Sequence, residues 1–110
     1  MSKTGVSYDL VRRIGLRLPG AEESTSYGTP ALKVKGKLFL RLHDDRDKIV
    51  VKMPFDRREE MMEADPETYF ITDHYKEYPW ILVSLARVSE DALADLLRSA
   101  YQFALKPKKK

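Results

Sequence analysis

The stretch Tyr69 to Trp80, Tyr-Phe-Ile-Thr-Asp-His-Tyr-Lys-Glu-Tyr-Pro-Trp, gathers the side chains of this sequence best suited to chemistry or recognition. His74 sits among aromatic rings, and Asp73 beside it is of a type that orients an imidazole for acid–base work. The pattern specifies neither a nucleophile nor a second acid. Residues adjacent in sequence often point apart, so the pair does not define a catalytic centre. A histidine that hydrogen-bonds backbone and orders its loop answers the same pattern. Tyr75, Tyr78 and Trp80 offer contact area with a polar handle, the composition of interaction hot spots. Trp80 also reads as a core ring at the start of a strand, with Pro79 stiffening its approach.

Elsewhere the chemistry is thinner. His43, Asp44, Asp45 and Asp47 are oxygen and nitrogen donors for a hard cation, but they lack the spacing and the glycine of a calcium loop. Aspartates that bond their own backbone make the same residues a solvated turn. Gly20, Gly28 and Gly36 form no phosphate-cradling motif. No catalytic set, cofactor or metal site follows from the residues.

At 110 residues the sequence is the length of one domain, large enough to bury a core. Hydrophobic residues make up 43% and charged residues 34%, which places it among globular rather than disordered proteins. With no cysteine there is no disulfide, thiolate metal site or cysteine nucleophile. The N-terminal residues lack the apolar run of a signal peptide, and no stretch approaches the length of a membrane span. These features point to a cytoplasmic protein.

The net charge is +3, but Lys106, Lys108, Lys109 and Lys110 crowd the C-terminus, and subtracting those four leaves −1 for residues 1–105. The body is therefore close to neutral. Residues 1–105 read as the domain and 106–110 as a disordered basic tail, able to give only weak, salt-sensitive attraction to phosphates.

The elements that must position these groups follow from periodicity. Val6, Leu10, Val11, Ile14 and Leu18 keep helical spacing, with Ser7 as N-cap and Pro19-Gly20 as the stop. Residues 22–30 hold a short edge strand ending at Gly28. Ala31–Val34 and Leu38–Leu42 form a hairpin around Gly36, and Asp44–Asp47 is the next turn. Lys48–Met53 is a strand. A charged helix opens at Pro54-Phe55-Asp56 and ends before Asp65-Pro66. Tyr69–Thr72 and Trp80–Leu85 are strands. Ser89 caps a last helix whose apolar stripe is Leu93, Leu96, Leu97, Ala100 and Phe103 or Ala104. The order predicts a two-layer α+β domain, an antiparallel sheet covered on one face by the N- and C-terminal helices.

Alternation then sorts the strands. Leu32, Val34, Leu38, Leu40, Leu42, Ile49, Val51 and Met53 are expected inward, and Lys33, Lys35, Phe39, Arg41, His43, Lys48, Val50 and Lys52 outward. The polar members of that outward set include no carboxylate. Cations meeting phosphates and a ring stacking on a base would suit nucleic acid. An antiparallel sheet with one solvated face needs polar residues there in any case.

The sequence resembles the MmcQ/YjbR family of small bacterial proteins. The resemblance rests on Leu18-Pro19-Gly20-Ala21-Glu22-Glu23, on Tyr27-Gly28-Thr29-Pro30-Ala31-Leu32-Lys33-Val34 with Gly36-Lys37-Leu38-Phe39, and on Asp73-His74-Tyr75 with Tyr78-Pro79-Trp80. The C-terminal helix with Tyr101 also fits. The resemblance implies a two-layer fold with an antiparallel sheet, similar to secretion-chaperone-like and frataxin-like folds. It implies the description "predicted DNA-binding", with no catalytic residues to carry over. A frataxin-like fold would suggest iron, held on an acidic helix and strand edge. Here the first helix carries Arg12, Arg13 and Arg17 instead.

Two functions are expected on these grounds. The first is a non-enzymatic DNA-binding module using Lys33, Lys35, Arg41 and Lys52 on phosphates with Phe39 stacking. The second is a protein- or peptide-binding adaptor with a groove of Tyr27, His74, Tyr75, Tyr78 and Trp80.

Overall fold

A computed structural model describes residues 5–106, so all but the first residue of the basic tail expected over 106–110 lies outside them. Helix α1 runs Tyr8–Leu16 and opens on Ser7, whose hydroxyl accepts the Leu10 N–H at 3.2 Å. Strands β1 (Ala21–Ser26), β2 (Thr29–Val34), β3 (Lys37–Leu42) and β4 (Lys48–Lys52) follow. Helix α2 (Phe55–Ala64), the two-residue β5 (Tyr69–Phe70), a single 3₁₀ turn (Asp73–Tyr75), β6 (Trp80–Ser84) and helix α3 (Glu90–Leu105) complete the fold. Ser89 caps α3 by accepting the Ala92 N–H.

The six strands form one sheet in the order β1-β2-β3-β4-β6-β5, antiparallel at every pairing. Both early hairpins close through two-residue loops. Tyr27 and Gly28 have φ of 53° and 80°, and Lys35 and Gly36 have 51° and 76°. Positive φ at both central positions matches the right-handed strand twist, which is why glycine occupies the second of each.

Helices α1 and α3 cover one face. Beneath them lie Leu32, Phe39, Leu40, Ile49, Val51, Ile81 and Val83 with Val11, Leu93, Leu97 and Ala100, all excluded from water. Gly15 allows the close approach of α1, since a Cβ there would stand 2.3 Å from Leu32 Cδ1. The stripe of α3 ends on Ala104, while Phe103 is only half-buried.

One strand departs from simple alternation. Leu32 pairs with Leu40 but the next residue, Lys33, pairs with Leu38, so Phe39 is the extra residue of a β-bulge. Phe39 and Leu40 therefore both enter the covered core, and Phe39 meets the Tyr101 ring edge-on at 5.9 Å. The Tyr101 hydroxyl donates to the Pro19 carbonyl, tying α3 to the end of α1. The expected outward Phe39 is thus corrected. At 0% exposure it is a core ring and cannot stack on a base. Leu38, expected in the core, turns to the other face.

Candidate functional site

The face away from α1 and α3 carries Arg41 and Val50 as cross-strand partners, Leu82 paired with Val50, and Phe70 paired with Leu82. The segment after β5 crosses this face. Its Tyr75 ring packs with Val50 and Leu82, flanked by Phe70, Ile71 and Trp80, to make a small second core. Beside that core opens a cleft of about 440 Å³, lined by Ser26, Tyr27, Leu38, Arg41, Val50, His74, Tyr75, Tyr78 and Trp80.

Two buried guanidinium groups hold the cleft together. Arg41 Nη2 donates to the Tyr75 hydroxyl at 2.9 Å, and Nη1 donates to Thr29 Oγ1 at 3.3 Å and the Leu42 carbonyl at 3.2 Å. The Arg41 guanidinium also lies 5.2 Å from the centre of the Tyr27 ring. Its one acidic neighbour among the described residues is Asp44 at 3.5 Å, on the exposed turn after β3. Arg41 thus ties the β1–β2 turn, the sheet and the aromatic loop to one point.

Arg58, on α2, is 3% exposed. Its Nη1 donates to the carbonyls of Tyr75 (3.0 Å), Tyr78 (2.6 Å) and Trp80 (3.1 Å), and its Nη2 to that of Lys76 (3.0 Å). The Phe55 ring covers it at 4.8 Å. The turns of this segment bond the Tyr75, Lys76, Tyr78 and Trp80 N–H groups, and a planar cation with a fork of donors gives several of its carbonyls a further partner at once. In the sequence Arg58 falls on the charged helix expected after Pro54. No local signal marks it, because its acceptors lie 17–22 residues further along the sequence.

The expected residues separate into two groups. Tyr27, His74, Tyr75, Tyr78 and Trp80 come from two distant segments and all line the cleft. Tyr27 and Tyr78 are open to solvent at 84% and 58%, whereas Tyr75 is buried. His74 is exposed and meets the Tyr75 ring edge-on at 4.7 Å. Among the described residues no hydrogen bond joins it to Asp73.

The cationic set does not converge in the same way. Lys33 is half-buried beside Glu22, its register partner on β1, so this face does contain a carboxylate. Lys35 stands in the exposed turn, and Lys52 lies 5.6 Å from the Trp80 ring. Arg41 is on the expected face but buried and committed to Thr29, Leu42 and Tyr75.

The His43–Asp47 segment is a turn in which Lys48 Nζ meets Asp45 and Asp47 at 2.9 and 2.7 Å. Among the described residues no group of three or more histidines and acids could hold a metal ion, and no helix is long and apolar enough to cross a membrane.

An antiparallel α+β domain with an aromatic cleft on its open face is the class these features define. The YjbR family model matches residues 16–103, so the protein belongs to the YjbR family. The fold is similar to the crystal structure of Deinococcus radiodurans protein DR2400, a DUF419 domain. The TM-score is 0.80 at 23% identity, covering 100% of this protein and 86% of that one. No curated protein matches the sequence.

Proposed function

We propose that this protein is a non-enzymatic binding module that captures a peptide segment of another protein in the open-face cleft. The observation that carries the reading is the convergence of Tyr27 with His74, Tyr75, Tyr78 and Trp80 around a cavity of about 440 Å³. Exposed tyrosines around a preformed, largely apolar cleft give contact area at little entropic cost on binding. Arg41 and Arg58 hold the walls in place before any partner arrives.

The nucleic-acid reading draws less support. Its stacking ring is in the core, and Glu22 stands beside Lys33. The residues from 1 to 105 carry no excess of positive charge.

The test is selection of a displayed peptide library on the immobilised protein, followed by fluorescence anisotropy of the enriched peptides and of single- and double-stranded oligonucleotides across a salt series. Peptides that bind with a shallow salt dependence and are lost on Tyr78→Ala support the module. The Tyr78 carbonyl that Arg58 uses survives that substitution. Oligonucleotides that bind with a steep salt slope, while no peptide is enriched, overturn it.

A further inference from the structure

The floor of the cleft carries more chemistry than a hydrophobic contact site needs. Resting on the peptide-binding reading, we infer that the occupant is the C-terminal end of a polypeptide. Its terminal carboxylate sits on Arg41, and its last side chain, aromatic or branched apolar, lies among Tyr27, Tyr78 and Trp80.

The two buried arginines differ in what surrounds them. Arg58 is enclosed by four carbonyls that no ligand can displace without unfolding the loop. Arg41 instead lines the cleft, with a side chain only 9% exposed, and its one counter-charge among the described residues is Asp44, 69% exposed and 3.5 Å away. A guanidinium out of water without an equally buried anion is a poorly compensated charge. In a cavity with low-dielectric walls, that charge selects an anion.

Carboxylate fits the geometry of the donors. A guanidinium presents planar forks that match two carboxylate oxygens, and since Nη1 of Arg41 is taken by Thr29, Leu42 and Asp44, the fork in question is Nε with the second Nη2 hydrogen. Next to it, the Tyr75 hydroxyl accepts from Arg41 at 2.9 Å and so keeps its own proton to donate to an incoming oxygen. The Thr29 hydroxyl already donates to the Ser26 carbonyl at 2.9 Å and helps to fix the guanidinium in place.

Apart from Ser26 and His74, the rest of the lining is apolar or aromatic: Leu38, Val50, Tyr27, Tyr78 and Trp80. A charge on the floor of a cavity this size suits a polypeptide terminus, which brings its carboxylate and last side chain together. A strand passing through would bring only one side chain down. Capture of a terminal carboxylate is a recurrent mode of peptide recognition.

Trp80, the only tryptophan in the sequence, reports on the cleft directly. Its emission is titrated with three peptides free of tryptophan: acetyl-Gly-Gly-Phe with a free C-terminus, the same peptide as the C-terminal amide, and acetyl-Gly-Asp-Phe-Gly amide. The free acid is expected to bind about tenfold or more tighter than either amide, the scale of one charge-assisted hydrogen bond. Arg41→Gln should abolish the acid-over-amide difference, and Tyr27→Ala should weaken both peptides alike.

Where Arg41→Gln lowers the folded fraction, Tyr75→Phe serves in its place. It removes one donor and should narrow the acid-over-amide difference several-fold. Equal binding of acid and amide overturns the terminal-carboxylate anchor, and preference for the aspartyl peptide moves it to a side chain, also overturning it. If none of the three binds, the inference fails even where library selection finds other segments, so its failure is separable from that of the peptide-binding reading.

Discussion

On the covered face of the sheet, Leu32, Phe39, Leu40, Ile49, Ile81 and Leu97 reach complete burial by packing apolar surface on apolar surface. On the open face, alternate residues of the same strands lie under a thin lid of turns, and order there comes from two buried arginines. The first face has redundancy: each ring or branched side chain touches several others, and losing one leaves a cavity but not a missing partner. The second has less, because one guanidinium serves four carbonyls and another holds the cleft wall. One sheet thus separates stability from recognition by the parity of its residues, and the two sides should respond differently to substitution.

The strongest test of that contrast is Phe39→Ala. Removing a fully buried ring should cost about 3–5 kcal/mol by urea denaturation, with peptide affinity per folded molecule unchanged. Arg58→Ala should cost about 3 kcal/mol, since it takes a buried charged donor from four carbonyls, of which those of Tyr75 and Tyr78 keep a backbone N–H, but it should also shift Trp80 emission and abolish binding. Arg58→Lys should restore little, because an ammonium cannot span that fork. A mild Arg58→Ala variant with intact binding would break the distinction between the faces.

Tyr27→Asn probes the opposite corner. A tyrosine at φ 53° is disfavoured relative to asparagine by about 1 kcal/mol, and the contact of its ring with Arg41 is worth about 0.5–1 kcal/mol. The two nearly cancel, so thermal stability should stay within about 0.5 kcal/mol while peptide binding falls. A large loss of stability would show that Tyr27 belongs to the fold rather than to the cleft.

The smallest effect is expected at the turn between β3 and β4. The Asp45 carboxyl is held below its ordinary value of 3.8, chiefly by its hydrogen bond from Lys48. Lys48 is held above 10.5, chiefly by Asp47 and against a cost of burial. A lowered carboxyl adds stability above pH 3.8 that is lost as pH falls through its folded value. A raised amine adds stability below pH 10.5 that is lost as pH rises through its folded value. Lys48→Met should therefore flatten both edges of a melting-temperature profile against pH and leave cleft binding untouched.

Much of this fold is legible in the residues. Ser7 and Ser89 cap the helices they were expected to cap, Gly36 marks the hairpin expected around it, and Ile49 and Val51 in β4, with Met53 just after it, alternate inward, whereas Gly28, expected to end a strand, is the second residue of a hairpin turn. The antiparallel α+β architecture follows from that order. Alternation failed at Phe39 because a bulge inserts a second inward residue, and only the apolar run Leu38-Phe39-Leu40 hints that one face must take two in succession.

The cleft was half legible. The aromatic types of Tyr27, His74, Tyr75, Tyr78 and Trp80 marked them out, but the arginine that seats their loop acts across a distance no local pattern encodes. The polarity of β1 likewise concealed Glu22, whose place beside Lys33 is set by strand register.

The Arg58 clamp has a consequence for how the molecule breathes. Loops usually fray independently of the elements they join, giving local openings far cheaper than global unfolding. Here the loop's carbonyls are bound to the side of a helix contributed by another part of the sequence. The loop can lift only when α2 undocks, so helix and loop should exchange their amide hydrogens as one cooperative unit. Any event that peels α2 from the sheet edge would then dismantle the cleft wall in the same step.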